Sequence, residues 1–453
     1  MTTFCLDPTR TTQLGIATIG ALLCLGAVLR VANLSNVSSR SPDEQVYTIQ
    51  TKVLLERGQP GLRSLIAEFQ QNPVARLYPP PTRLGYLWPL AAAMRLTGGR
   101  DERVGAYLSC AASIGSLFIL VLIGVRFFPS WATSFALLFF AVSPMELAVS
   151  RRAWPDALVE FLGFSLVYVA AEITRDSARR IWYVVFVVLG SLGIAVKESG
   201  PIGYGFCTIW VLWVLLIERR EWVNGAVLMA GGLAGLAITI AWLAMSVGGL
   251  SVFAKTVTSI PSWNAGNQYA IEYQSGPGYL LLRALEIMSP VAAALGLVGL
   301  GVLLFSHRKL NLLHVPAEAA NWQVVGWITL FMLAYLALPM VLPHWLNLRY
   351  ISVLFGPFYL IAGLGFWYCA SLCWNRLRTF DRRIFAGLAI AALSIGAVAD
   401  YDRFQIIVVR DALKDLSIKM VLDADKRNCR DSRKSSFISS LGVFSRRGGA
   451  VER

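Results

Sequence analysis

Two carboxylates, Asp43 and Glu44, stand side by side just beyond the first apolar run of this sequence, bracketed by Arg40 and Tyr47. A carboxylate held against a hydroxyl can take its proton, which is general-base chemistry. The same stretch, Ser41-Pro42-Asp43-Glu44, is also a good helix start with its cap, and the two roles are compatible. A third acid, Asp156, follows Arg151 and Arg152 across a Trp154-Pro155 turn, as a partner in that chemistry or as a helix cap. Lys197 and Glu198 share a tight turn, either as a self-satisfied ion pair or as site charges. Arg349, preceded by His344, Trp345 and Asn347, reads as an anion ligand or an interfacial anchor. Together these residues could deprotonate a hydroxyl with a carboxylate while fixed cations hold a phosphate. A phosphate leaving group needs no general acid, only stabilisation of its charge.

The elements that must position these groups are membrane helices. Of 453 residues, 56% are hydrophobic and 15% charged, against roughly 25% charged in an ordinary soluble domain. The apolar residues fall in runs of about 18 to 25, the length that crosses the hydrocarbon layer as helix. Spans are expected near 14 to 34, 104 to 126, 130 to 148, 156 to 173, 181 to 197, 201 to 217, 223 to 247, 279 to 305, 322 to 342, 350 to 372 and 384 to 400. The fold class is therefore an all-α polytopic membrane protein with about eleven transmembrane helices. The first run has only Arg10 before it and lacks a convincing cleavage site, so it reads as an anchor rather than a signal peptide.

Lys and Arg in short loops mark the cytoplasmic side. With the N-terminus inside, the inner loops carry thirteen (Arg10, Arg126, Arg175, Arg179, Arg180, Arg219, Arg220, Arg308, Lys309, Arg376, Arg378, Arg382 and Arg383). The outer ones carry five (Arg151, Arg152, Lys197, Lys255 and Arg349). The N-terminus is thus expected in the cytoplasm and the tail after Tyr401 outside. The net charge of +14 is in part topological and does not point to nucleic acid.

The candidate site residues then share the outer face. The largest outer segment, 35 to 103, is expected to hold short helices near 45 to 57 and 61 to 70, then Tyr78-Pro79-Pro80-Pro81. The apolar piece from Leu84 to Leu96 is too short to span and contains Pro89, which suits an interfacial or re-entrant helix. The other outer segments are 150 to 156, 197 to 201, 248 to 278 and 343 to 350, and the last 28 residues read as disordered from composition. The seven cysteines suggest neither a disulfide framework nor a structural zinc. Glycine clusters at 231 to 235 and 296 to 301 lie within spans and read as close helix packing. Nucleotide sugars are not available outside the membrane, so a glycosyl transfer at this face would draw on a polyprenyl-phosphate donor.

These motifs, in this order and on one face, resemble the glycosyltransferase C superfamily, in particular the group holding the protein O-mannosyltransferases and the lipid A aminoarabinose transferase. The carriers are Asp43-Glu44, Tyr78 to Pro81, Ser150-Arg151-Arg152 with Asp156, Lys197-Glu198 and Arg349-Tyr350. The resemblance implies a transmembrane catalytic domain over 1 to 400 and an external tail over 401 to 453. It implies that Asp43 is the base in an inverting transfer, that Glu44 orients the loop or the acceptor, and that Asp156 completes the acidic pair. Arg83, Arg151, Arg152, Lys197 and Arg349, with Arg76 as a further candidate, would bind the donor phosphate. The implied partners are a polyprenyl-phosphate-linked sugar, a lipid, glycan or protein acceptor, and the bilayer. No metal ligand is assigned, though a divalent ion stays open as cofactor. The expected location is a bacterial inner membrane with the site facing outward. A transporter or lipid flippase is the alternative, but it would place charges mid-span on paired broken helices. A scaffold protein would need no outward acidic pair.

Overall fold

The computed structural model describes residues 8–34, 41–266, 284–285, 287–309, 321–341, 348–377 and 379–406. His344, Trp345, Asn347, Arg40, loop residues 267–278 and the tail from 407 lie outside the described residues. Among the described residues all regular structure is helical. That follows from the solvent, because hydrocarbon offers the backbone no hydrogen-bond partner and a helix satisfies it internally.

In chain order the helices are α1 (Pro8–Val31), α2 (Pro42–Gln71), α3 (Leu84–Thr97), α4 (Glu102–Phe127), α5 (Ser130–Val142), α6 (Pro144–Val149), α7 (Asp156–Arg175), α8 (Arg180–Val196) and α9 (Gly200–Leu212). They continue as α10 (Trp222–Val247), α11 (Leu250–Gly266), α12 (Pro290–Lys309), α13 (Trp322–Val341), α14 (Phe355–Arg376) and α15 (Thr379–Phe404). Among the described residues, six segments are long and apolar enough to cross a membrane, including Glu102–Phe127, Asp156–Arg175 and Trp222–Val247. Six more apolar helices are shorter, including Gly15–Val31, Ser130–Val142 and Arg180–Val196. The chain is a polytopic integral membrane protein. Its core lies where α4, α5, α7, α9, α13 and α14 meet, built around Phe139, Phe140, Phe164, Trp210 and Tyr359. By contrast, α10 and α15 bury only 17% of their apolar windows inside the protein, so their outer surfaces face lipid.

Four expected elements differ in form. The span expected at 130 to 148 is two helices, α5 and α6, because Pro144 cannot donate into the preceding turn and Ser143 restarts the chain as the cap of α6. The outer loop 248 to 278 contains α11, which docks on the end of α2 through Gln70, whose amide donates to Thr256 Oγ1 at 2.8 Å. The late span is preceded by a 3-10 segment, Leu348–Leu354. The two outer helices expected before Leu84 are one helix with a kink, α2. There Gly58 takes φ 60° and Pro60 follows, a backbone turn that a residue with a side chain resists.

Candidate functional site

The N-terminus of α2 is capped twice over. The Glu44 backbone N–H donates to Ser41 Oγ at 3.4 Å, and the Ser41 N–H donates to Glu44 Oε1 at 2.9 Å. The fully buried Glu44 carboxylate also accepts from Arg152 Nη1 at 3.0 Å and from the Ala153 N–H at 2.8 Å. The Trp154 indole donates to Ser41 Oγ at 3.0 Å, and the Ser109 hydroxyl donates to the Trp154 carbonyl at 3.0 Å. A Cβ on Gly105 would stand 2.4 Å from Ala153 Cβ, so α4 reaches this turn only through a glycine. Glu44 and Arg152 therefore clamp the turn at 150 to 155 between α2 and α4.

Two further ion pairs meet beside that clamp. Arg349 Nη2 donates to Asp43 Oδ2 at 2.5 Å, and Lys197 Nζ donates to Asp156 Oδ1 at 2.5 Å. Asp156 makes no side-chain cap to α7, so its carboxylate serves Lys197 instead. The Lys197 ammonium lies 4.3 Å from the centroid of the Tyr350 ring. The Arg349 guanidinium lies over the same ring at 5.6 Å and over Trp154 at 4.6 Å. Tyr350 is thus a common wall for both pairs, with cation–π attraction holding each cation in place. Burial pulls the Lys197 ammonium down to about 8, although Asp156 pulls the other way.

Arg83 forms the fourth pair. Its Nη2 donates to Glu198 Oε2 at 2.7 Å and its Nη1 donates to the Tyr47 hydroxyl. Burial works against the Arg83 charge, yet Glu198 and Tyr47 hold the guanidinium well above its ordinary value. Two residues on, a Cβ at Gly85 would come within 2.7 Å of the Ala195 carbonyl carbon, so α3 rests directly on the end of α8. The turn that carries Lys197 closes by a similar approach, for a Cβ at Gly200 would sit 1.9 Å from the Gly193 oxygen. Four cations and four carboxylates therefore neutralise one another at one end of the bundle.

Not every expected residue joins them. Arg151 donates to the carbonyls of Leu29, Ala32 and Asn33 at 2.7 to 2.8 Å and lies over Phe404, so it staples α1 and α15 to the turn. Arg76 donates to the Gln70 carbonyl at the end of α2. Sequence reasoning missed the wall residue Trp154 as a site element, and it missed Glu146 and Glu160, which lie inside expected spans rather than at their ends. A carboxylate within an apolar run was the signal available for those two. Among the described residues, no group of three or more His, Cys, Asp or Glu side chains could hold a metal ion.

A family model described as dolichyl-phosphate-mannose-protein mannosyltransferase matches residues 80–244, a stretch that includes Arg83, Asp156 and Lys197. No curated protein sequence matches the chain. Among solved structures it is similar to ArnT from Cupriavidus metallidurans bound to undecaprenyl phosphate, at 14% identity and TM-score 0.54, covering 96% of this chain and 75% of that one. It is also similar to the oligosaccharyltransferase AglB from Archaeoglobus fulgidus in complex with an inhibitory peptide and a dolichol-phosphate, at 13% identity and TM-score 0.50. The match covers 87% of this chain but only 56% of the archaeal protein. The resemblance read from the motifs is therefore borne out, and the shared property is the fold.

Proposed function

We propose that this protein is a membrane glycosyltransferase that moves a sugar from a polyprenyl-phosphate donor to an acceptor hydroxyl, with Asp43 as base. The observation that carries this reading is the placement of two carboxylate–cation pairs, Asp43 with Arg349 and Asp156 with Lys197, around the single ring of Tyr350. The acceptor oxygen attacks the anomeric carbon and gives its proton to Asp43, while the bond from that carbon to the phosphate oxygen breaks. Attack from the face opposite the phosphate inverts the anomeric centre. The departing polyprenyl phosphate gains negative charge as it leaves. Arg349 and Lys197 then interact more strongly with the transition state than with the bound donor, which is the requirement for catalysis.

The ion pairs give an order to these events. Before the donor is bound, the Asp43 carboxylate is occupied by the hydrogen bond it accepts from Arg349. Donor phosphate offers Arg349 a bidentate partner and in taking it frees Asp43, so the base is exposed once the donor is seated. Glu44 belongs to the clamp and is not assigned a chemical step. Arg83, with its own partners, is assigned to the rim of the donor site. The location proposed here is a bacterial inner membrane with the site facing outward, a sidedness that rests on the excess of Lys and Arg in the opposite set of short loops.

The decisive variant is Asp43→Asn, which keeps volume and still accepts a hydrogen bond from Arg349. Loss of a base from the proton-transfer step should lower turnover about 100-fold to 10,000-fold. Transfer from a polyprenyl-phosphate sugar and melting temperature are measured on the purified protein in detergent. Near-normal turnover with a lowered melting point would reduce Asp43 to a structural partner of Arg349 and end the assignment.

A further inference from the structure

One indole serves both arginines that hold the adjacent acids of α2. Asp43 pairs with Arg349, on the 3-10 segment before α14, and Glu44 pairs with Arg152, on the same turn as Trp154. The Arg349 guanidinium lies 4.6 Å from the centroid of the Trp154 ring, and the Arg152 guanidinium lies 5.5 Å from it. Trp154 is 3% exposed, so both contacts are shielded from water, where attraction between a cation and an aromatic face is strongest. The tryptophan itself is fixed at two points. Its indole N–H donates to Ser41 Oγ at 3.0 Å, and its backbone carbonyl accepts from the Ser109 hydroxyl at 3.0 Å. Ser41 Oγ also accepts from the Glu44 N–H. The indole therefore braces the cap of α2, two residues before Asp43.

Two neighbouring carboxylates thus meet two arginines, and in chemical terms either arginine could pair with either acid. Successive side chains on a helix point about 100° apart. The pairing is decided by how the first turn of α2 is rotated against the turn at 150 to 155, and by where each guanidinium is held. Contact with a ring has a second property. A cation over an aromatic face uses none of its hydrogen-bond donors on that face. Arg349 can then keep its N–H groups for Asp43 in the resting site and for a phosphate when one arrives. A carboxylate in place of the ring would occupy those donors.

We propose that Trp154 is a positioning residue for the transfer. Its ring is the platform on which Arg349 passes from Asp43 to the donor phosphate, and its N–H keeps Asp43, rather than Glu44, turned to that arginine. The inference rests on the transferase reading above, since it names the support of a cation assigned there to the phosphate. Trp154 acts on the reaction through Arg349 and through the cap of α2.

The test uses the full-length protein in detergent, measuring binding of undecaprenyl phosphate, transfer from a polyprenyl-phosphate sugar, and melting temperature. Trp154→Leu removes both ring and N–H and should weaken binding about threefold to thirtyfold, the size of a shielded cation–π contact. Trp154→Phe keeps a ring and should bind within about threefold of wild type, while turnover falls about twofold to tenfold with the loss of one hydrogen bond. In Arg349→Ala there is no guanidinium to support, so adding Trp154→Leu should weaken binding no further. A tryptophan that only stabilises the fold would lower the melting temperature and leave the affinity of the folded protein unchanged. Unchanged affinity in Trp154→Leu, or the same loss with and without Arg349, would overturn the proposal. If Trp154→Leu does not fold, Trp154→Phe decides, and wild-type turnover in that variant overturns it. Wild-type protein that neither binds the lipid phosphate nor transfers a sugar would end the transferase reading and this proposal with it. Binding and transfer in the wild type, with independent effects of Trp154 and Arg349, would end the role of Trp154 alone.

Discussion

Lys197 is the side chain at which the state of the site can be read by pH. Burial brings its ammonium down to about 8, so above that value it becomes a neutral amine and no longer attracts phosphate. The Michaelis constant for the lipid donor should accordingly rise above about pH 8, by up to about tenfold per pH unit. Lys197→Arg should keep its charge and flatten that limb, whereas Lys197→Ala should weaken donor binding at every pH. Identical alkaline limbs in wild type and Lys197→Arg would place the titration elsewhere. Asp43, Asp156, Lys197 and Arg349 were legible in the sequence because a charge beside an apolar run is expensive and stands out. Their pairing was not. Asp43 and Arg349 are 306 positions apart, and Lys197 takes Asp156 rather than its neighbour Glu198, so local sequence suggests the wrong partner. The cap on α2 was read correctly from Ser41 and Glu44, but nothing local shows that Glu44 also grips Arg152.

The helices deliver these residues through points where no side chain intervenes, and Gly85 is the sharpest of them. Alanine there would push α3 away from Ala195 and Val196, whose backbone atoms lie 2.7 and 2.8 Å from the added carbon. Gly85→Ala should cost about 1 to 3 kcal/mol and lower the melting temperature. It should also weaken donor binding by moving Arg83 and the Lys197 turn together. A variant with wild-type melting and donor affinity would show that α3 seats elsewhere. At this scale the sequence was readable where backbone chemistry is written in residue types, as at Gly58 and Pro60, which mark the kink in α2. It was least readable at Ser143–Pro144. Apolar residues run through that break, and hydropathy averages across the very proline that ends α5. The helix α11 was missed for the opposite reason, being too short an apolar stretch in a segment that otherwise reads as a loop.

Across the whole molecule the groups of the site lie at one end of the bundle, and the two points of the topology test lie at opposite ends of it. Arg180 begins α8, whose far end carries Lys197, whereas Phe404 lies under Arg151 at the site end. A reporter fused after Arg180 should be cytoplasmic and one fused after Asp402 should be external. The two reporting from the same side would contradict both the charge count over loops and the helix arrangement. The seat of α3 on α8 has one more consequence. A short apolar helix settles at the depth where hydrocarbon ends, and here that helix is joined to the Lys197 turn by backbone contact and by the Arg83–Glu198 pair. The thickness of the surrounding bilayer is thereby coupled to the position of the cations around Tyr350. In this architecture the lipid acts as a mechanical input to the site as well as its solvent.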